Sequence, residues 1–243
     1  MARCTREASQ AQGGADLGMV ALVCEPEKLK GMVEMVQQFT SGRPGSDPES
    51  GTYHDTADSH SHRPPIDQVS IANSNSRNQI VLAGSIARIN EVLTQIRQFG
   101  GHDPRAVRLR SNSPFHSPMM LPARKVMIGL LEKTKINFPG RFPCISNVTA
   151  RPFESATNIK ELLARQCVDT VRWWDSIKHV DKEMQVTRWI GLGPGKVGRN
   201  LVGKEVGMKG GDAVRGGGVW GISKPNEIED LLRGLEISEQ LPE

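Results

Sequence analysis

The spacing of apolar residues predicts strands alternating with helices between residues 18 and 110. Helical spacing extends from Leu29 to Val36 and resumes after Ser85, a favoured N-cap residue. Short apolar runs between turn-forming residues predict strands. These runs are Met19–Val23, Val69–Asn73, Gln79–Gly84 and Ala106–Leu109. With residues 41–65 set aside, the predicted order is β-α-β-β-α-β, the split, ferredoxin-like pattern.

The segment 41–65 interrupts this pattern. Its only hydrophobic residues are Tyr53 and Ala57, so burial there cannot offset the entropy of ordering the chain. We therefore expect a disordered insertion. His60 and His62 could bind a metal weakly within it, but a solvated loop is the favoured interpretation.

From Pro114 onward, strands and helices continue to alternate, which predicts a parallel sheet. Strands are expected at Pro143–Val148 and Thr187–Ile190. Helices are expected at Met119–Lys133, at Asn158–Gln166 with Glu161 completing a partial capping box, at Val171–Val180, and from the Gly193-Pro194-Gly195 turn to Val202. The stretch 207–221 holds seven glycines in fifteen residues and is typical of a flexible linker. A short amphipathic helix is expected after Pro225.

Composition excludes several classes of protein. Lys and Arg number 31 and Asp and Glu 27, and this net charge of +4 is spread singly, which argues against a nucleic-acid partner. No apolar run approaches the ~20 residues that span a bilayer, and the first residues lack the apolar region of a secretory signal. The four cysteines lie far apart without a CxxC pair, which favours a reducing compartment and excludes a zinc ribbon.

Two segments are candidates for chemistry. His116 lies between Pro114 and Pro118 in a stiff loop, where an imidazole could act as a general base, although loop histidines are more often structural. The Gly193–Lys196 turn could bind an anion at a helix N-terminus, but it matches neither nucleotide-binding glycine motif, so a tight turn is favoured.

Taken together, five motifs carry a family resemblance. They are Asn-x-Asn-Ser…Gln-Ile-Val-Leu-Ala-Gly (73–84), Ser-Pro-Phe-His-Ser-Pro-Met-Met-x-Pro-Ala (113–123), Ile-Ser-Asn-Val-Thr-Ala (145–150), Gln…Val-Arg-Trp (166–173) and Gly-Pro-Gly-Lys-Val (193–197). In this order they resemble the malonyl-CoA:acyl carrier protein transacylases and, more broadly, the acyltransferase domains of fatty acid and polyketide synthases. The resemblance covers roughly residues 1–206.

The resemblance implies an α/β fold, in which an α/β-hydrolase-like large domain carries a ferredoxin-like (βαββαβ) small subdomain. This chain would hold only part of the large domain. The implied division is a remnant of the large domain at 1–17, the small subdomain at 18–110, the C-terminal part of the large domain at 111–206, and a glycine-rich tail with a short helix at 207–243.

The resemblance also implies ping-pong transfer of a malonyl group from malonyl-CoA to the phosphopantetheine thiol of acyl carrier protein, without a permanently bound cofactor or metal. His116 matches the general base, Gln166 the residue whose backbone carbonyl orients it, and Asn73 and Asn147 lie in motifs expected to bind substrate. The family's G-H-S-x-G serine elbow and malonyl-binding arginine would lie upstream of Met1, so we expect an inactive C-terminal part of a transacylase.

Departures from the family leave alternatives open. Gly191 stands where the family often has Glu, and Asn112 where it commonly has Ser. The chain could instead be an acyltransferase-domain fragment of a multidomain synthase, or a non-enzymatic ferredoxin-like binding module. A long polar insertion resembles the fungal mitochondrial enzyme, so a mitochondrial location is expected, with the cytoplasm as the alternative.

Overall fold

The computed structural model describes residue 10 and residues 14–41, 69–208, 213–214 and 217–240. These residues form two compact units, of which the first ends at Trp173 and the second begins at Trp174. The interior of the expected disordered insertion, with the possible metal ligands His60 and His62, lies outside the described residues, as does most of the expected remnant at 1–17.

The described part of the first unit contains a four-stranded antiparallel sheet in the order β2-β3-β1-β4. Its elements are β1 (Leu17–Val23), α1 (Leu29–Ser41), β2 (Val69–Ser76), β3 (Gln79–Ser85), α2 (Ile86–Phe99) and β4 (Arg105–Arg108). They follow one another as β-α-β-β-α-β, which is the order that the apolar pattern predicts. Ser85 is the N-cap residue of α2, also as predicted.

Both faces of this sheet are covered, which explains why β1 and β3 are continuous apolar runs. On one face, Met19 and Ala21 pack with Val81 and Ala83, and this cluster also contacts Phe115 from a later loop. The alternate residues of these strands, including Leu22, are fully buried as well. Helix α2 contacts β1 and β3 through its apolar face, which consists of Ile89, Val92, Leu93 and Ile96.

The rest of the first unit holds α3 (Leu121–Glu132), which follows a 3₁₀ turn at Pro118–Met120, and α4 (Ala156–Arg165). The N-cap of helix α4 lies three residues before Asn158, where the capping-box pattern places it. Its N-cap is Ser155, whose hydroxyl oxygen accepts the backbone N–H of Asn158 at 3.0 Å. Asn158 is thus the third helical residue, and its side-chain oxygen accepts the backbone N–H of Glu154 at 3.2 Å.

The strand predicted at Pro143–Val148 is wrong. Ile145 forms only an isolated bridge with Pro152, and the chain turns back between them. The Ser146 hydroxyl accepts the backbone N–H of Val148, and Ala150 has a positive φ of 57°. The short apolar run therefore pairs with its own return and does not extend as a strand.

The second unit contains a three-stranded sheet among its described residues, in the order β5-β7-β6. Its strands are β5 (Arg188–Leu192), β6 (Ala213–Val214) and β7 (Gly217–Ile222). Strands β5 and β7 are parallel, whereas β6 and β7 are antiparallel, so the sheet is mixed. The parallel partner of β5 is thus not one of the strands that the sequence predicts. The helices are α5 (Trp173–Lys178), which enters this unit and continues as a π-helical turn at His179–Glu183, α6 (Val197–Val206) and α7 (Glu227–Gln240).

Strands β6 and β7 lie in the stretch that the glycine content predicts as a flexible linker, so that prediction is wrong for these residues. The glycines of β7 serve packing. A Cβ at Gly218 would lie 2.2 Å from the indole of Trp220, which is itself only 6% exposed. Glycine therefore leaves room for a large aromatic ring against its own strand.

Candidate active site

The loop that carries His116 is held in an unusual backbone conformation. His116 has φ = 58°, in the left-handed region, which costs a non-glycine residue about 1–2 kcal/mol. Phe115 packs against the apolar cluster of the sheet, and Pro114 and Ser117 are buried on either side. Such strain persists only where the surrounding contacts over-determine the backbone, and strained residues are concentrated at functional sites.

The imidazole of His116 contacts the backbone of Gln166. Its Nδ1 lies 2.7 Å from the Gln166 carbonyl oxygen. A carbonyl oxygen only accepts hydrogen bonds, so Nδ1 carries the proton and donates it. In the neutral ring, Nε2 then holds a free lone pair, which is the form that a general base requires.

The protonation state of His116 suits the same role. Burial lowers the pKa of His116 below its ordinary value of 6.5, because the charged ring loses hydration. Hydrogen bonds to the backbone of Gln166 and Asp169 oppose this shift, since the carbonyl groups stabilise the imidazolium. The ring is therefore mostly neutral at pH 7 and is provided with acceptors that stabilise a transient positive charge.

The Gln166 carbonyl is available because of where α4 ends. Gln166 is the C-cap residue, and the last carbonyl groups of a helix have no partner within the helix. The backbone N–H groups of Val168 and Asp169 donate to the Arg165 carbonyl, which bends the chain at this point. The Arg165 guanidinium also donates to the Asp169 carboxylate at 2.8 Å, and both side chains are partly buried.

The residues that follow Gln166 are bound to the edge strand β2. The backbone N–H of Val171 donates to the Ala72 carbonyl at 2.8 Å, and the N–H of Ser74 donates to the Val171 carbonyl at 2.9 Å. The Thr170 hydroxyl adds a bond of 2.6 Å to the Ile71 carbonyl. These bonds enclose Asn73, which forms a parallel bridge with Val171.

The same segment reaches Asn147. The backbone N–H of Arg172 donates to the Asn147 carbonyl at 2.8 Å. Residues 166–172 therefore connect all four residues singled out by the sequence: His116 and Gln166 directly, Asn73 through Val171, and Asn147 through Arg172. Asn73 and Asn147 are half-buried. The hydrogen bonds that link Asn73 to this segment are made by the backbone of its neighbours Ala72 and Ser74, and Asn147 is linked through its own carbonyl.

Three features that hold His116 and residues 166–172 in place were not predicted from the sequence. The Arg165–Asp169 ion pair has a recognisable i,i+4 spacing and could have been found on that signal. The Asp169 backbone and the Thr170 hydroxyl have no such signature, because each bonds to a residue distant along the chain: the imidazole of His116 and the backbone carbonyl of Ile71.

The glycine turn at 193–196 lies in the second unit. Gly193 and Gly195 have φ values of 139° and 81°, and the Ser223 hydroxyl donates to the Gly193 carbonyl at 3.1 Å. The turn residues are exposed. The conformation is that of a tight turn closed by a side-chain hydrogen bond.

Curated proteins resemble the chain over more than half its length. Over 136 residues, 56% of the chain, it is 33% identical to the malonyl CoA-acyl carrier protein transacylase of Buchnera aphidicola subsp. Schizaphis graminum. Over 136 residues it is 36% identical to the enzyme of the same name from Bacillus subtilis strain 168. The resemblance to malonyl CoA-acyl carrier protein transacylases is confirmed. The matches cover 43% and 42% of the two relatives, so the chain spans less than half their length. No family model matches the chain.

Solved transacylase structures have the same fold. FabD from Acinetobacter baumannii aligns with a TM-score of 0.72 and 21% identity, covering 98% of this chain and 63% of that one. A type II polyketide synthase acyl-carrier protein in complex with its malonyl-transacylase gives a TM-score of 0.68 at 21% identity, covering 97% and 62%. At these identities the likeness establishes the fold alone, and the predicted α/β class is confirmed.

Neither a metal-binding cluster nor a membrane-spanning helix is found among the described residues. Within the ranges that the structure describes, no three His, Cys, Asp or Glu side chains are grouped as they would be around a metal ion. Over the same ranges, no helix is both long and apolar enough to cross a bilayer.

Proposed function

We propose that this chain carries the histidine-bearing part of a malonyl-CoA:acyl carrier protein transacylase, with His116 as the general base. The observation that carries the proposal is the 2.7 Å contact between His116 Nδ1 and the Gln166 carbonyl, which leaves Nε2 unprotonated in the neutral ring. Similarity to transacylases over more than half of the chain supports this proposal over a non-enzymatic binding module.

The proposed reaction has two half-reactions, and in each of them His116 takes up one proton and releases it again. In the first, Nε2 of His116 takes the hydroxyl proton of a serine as its oxygen attacks the malonyl thioester, and the departing coenzyme A thiolate receives that proton. In the second, Nε2 takes the proton of the phosphopantetheine thiol, the thiolate attacks the malonyl ester, and the proton returns to the serine. The chain contains no G-x-S-x-G motif, so the serine is the one that the family resemblance places in a G-H-S-x-G elbow outside this sequence.

The backbone of α4 supports both proton transfers. When His116 becomes an imidazolium, Nδ1–H remains bonded to the Gln166 carbonyl, whose partial negative charge favours the cation. A backbone carbonyl can hold the tautomer without itself titrating, so Gln166 contributes through its position at the end of the helix. The Gln166 side chain has no part in this scheme.

The finer architecture is part of the proposal. We assign 18–110 to a ferredoxin-like subdomain and 111–206 to the C-terminal part of an α/β-hydrolase-like large domain, with 1–17 a remnant of that domain. The segment 207–243, expected as a tail, supplies β6, β7 and α7 to the second unit. The β2-β3-β1-β4 order of the antiparallel sheet supports the first assignment.

The proposed substrates are malonyl-CoA and the phosphopantetheine thiol of an acyl carrier protein, which is the proposed partner. Asn73 and Asn147 are proposed to line the acyl site, since the segment that orients His116 also binds the backbone around them. No permanent cofactor is needed for this chemistry. The proposed location is the mitochondrion.

A fusion protein tests this function. The part of the Bacillus subtilis relative that carries its serine elbow is placed before this chain, and the purified fusion is incubated with malonyl-CoA and holo-acyl carrier protein. We expect malonyl-acyl carrier protein, detected by intact mass. The chain alone serves as the control and should acquire no malonyl group. A folded fusion that yields no malonyl-acyl carrier protein would overturn the proposal.

A further inference from the structure

The hydroxyl of Ser117 makes a hydrogen bond that spans His116. It is 1% exposed as a residue, and its Oγ donates to the carbonyl oxygen of Pro114 at 2.6 Å. The bond therefore closes a turn whose two central residues are Phe115 and His116. A short, buried bond of this kind restricts the backbone dihedrals that it encloses.

The direction of this bond is unusual for the position of Ser117. Ser117 is the N-cap residue of the 3₁₀ turn Pro118–Met120, where a serine hydroxyl usually accepts a backbone N–H of that turn. No such side-chain bond is present there, and the N–H of Met120 donates to the Ser117 carbonyl instead. The hydroxyl is thus directed back across His116 and takes no part in capping.

The geometry of His116 depends on the turn that this bond closes. His116 has φ = 58°, a value that its side chain disfavours. A return of φ to a negative value would rotate the Cα–Cβ bond about the N–Cα axis. The imidazole would then leave the Gln166 carbonyl, which it now contacts at 2.7 Å.

We infer that Ser117 is a positioning residue, whose hydroxyl holds His116 in the left-handed conformation from which Nδ1 reaches the Gln166 carbonyl. The inference deepens the proposed function, and its catalytic consequence rests on that function. Ser117 acts only through the backbone of His116 and touches no substrate in this scheme.

The imidazole tautomer gives a direct test in the full chain. The imidazole nitrogen signals of His116 are identified in nitrogen-15 NMR spectra by their absence in His116→Gln. In the wild type they should show that Nδ1 carries the proton. In Ser117→Ala, we expect loss of the Nδ1–H signature and a rise of the His116 pKa toward 6.5, because the ring leaves its buried site. Ser117→Thr keeps the hydroxyl and should restore the wild-type tautomer.

A matched control separates this effect from a general effect on the loop. The Ser111 hydroxyl donates to the Ser113 carbonyl at 3.1 Å in the same loop but does not span His116. Ser111→Ala should leave the tautomer unchanged. A wild-type tautomer in Ser117→Ala would overturn the inference. Loss of the wild-type tautomer in both Ser117→Ala and a folded Ser117→Thr would also overturn it, because the packing of the serine side chain, and not its hydroxyl, would then be the cause.

The fusion protein supplies a second readout. There, Ser117→Ala should lower kcat by about 10- to 100-fold, the scale expected for a misplaced catalytic group, with the KM for malonyl-CoA within about twofold. Unchanged kcat despite a changed tautomer would overturn the catalytic consequence. The tautomer is measured without substrate, so failure of the positioning inference and failure of the proposed function give different results.

Discussion

Replacement of His116 in the fusion protein is the most informative perturbation of the proposed mechanism. Alanine is a poor choice, because residue 116 has φ = 58° and alanine would keep that strain without a side chain to anchor it. Asparagine tolerates the left-handed region and cannot act as a base near neutral pH. His116→Asn therefore removes the base while retaining the backbone.

The expected loss follows from the geometry of the ring. Nδ1 is bonded to the Gln166 carbonyl, so Nε2 is the only ring nitrogen that can move protons between serine and thiol. General base catalysis is worth about 10²–10⁴-fold, so malonyl transfer should fall by that factor. This loss corresponds to an increase of about 2.7–5.4 kcal/mol in activation free energy, since each tenfold change in rate is worth about 1.36 kcal/mol. KM for malonyl-CoA should change little.

His102 offers a matched control. Its Nδ1 contacts the Gly100 carbonyl at 2.8 Å, and it is also half-buried in a loop, but it lies in no family motif. His102→Asn should leave transfer within about twofold of wild type, since it removes the same kind of contact without removing the base. Malonyl transfer and thermal unfolding are measured on both variants. A folded His116→Asn protein with near wild-type turnover would remove His116 from the mechanism.

Three further predictions concern pH and packing. Because the pKa of His116 is lowered, kcat/KM of the fusion should fall as the pH drops through that lowered value, which lies below 6.5, and stay level above it. The wild-type chain should lose stability relative to His116→Asn as the pH falls from 6.5 to the lowered pKa, and equal dependence of the two unfolding free energies on pH would contradict this. Leu22→Ala removes a fully buried side chain from β1 and should cost about 2–5 kcal/mol in urea unfolding, whereas Phe99→Ala, at a residue 74% exposed, should stay within about 0.5 kcal/mol. Gly218→Ala should destabilise the second unit, because its Cβ would lie 2.2 Å from the indole of Trp220. Gly129→Ala is the control: it lies in a helix with nothing within 4 Å and should stabilise the chain by about 0.5–1 kcal/mol, and thermal unfolding followed by tryptophan fluorescence measures both.

The elements of the four-stranded sheet and its two helices were predictable because burial determines where apolar residues stand in the sequence. Strands covered on both faces must be apolar throughout, and β1 and β3 satisfy this, so the β-α-β-β-α-β order was visible in the sequence. His116 was visible for a different reason, since its motif resembles that of a known family.

Where sequence reasoning failed, the composition of the segment did not reveal the contacts that it makes. The apolar run at 143–148 has the composition of a strand, but it turns back to pair at Pro152. The glycines of β7 are typical of a linker, yet the strand pairs with β5, and Gly218 makes room for the indole of Trp220. Periodicity records how a segment is buried, and it does not record which segment lies beside it.

The arrangement around His116 was decided by tertiary structure alone. Sequence resemblance named Gln166, but only the fold brings its carbonyl to 2.7 Å from Nδ1 and thereby selects the tautomer. The bonds from Val171 and Arg172 to Ala72 and Asn147 are likewise formed between backbone groups. Every residue carries a backbone carbonyl, and all except proline an N–H, so such bonds leave no mark in the sequence. The sequence determined which side chain could act as the base, and the tertiary structure determined which of its nitrogens is free to do so.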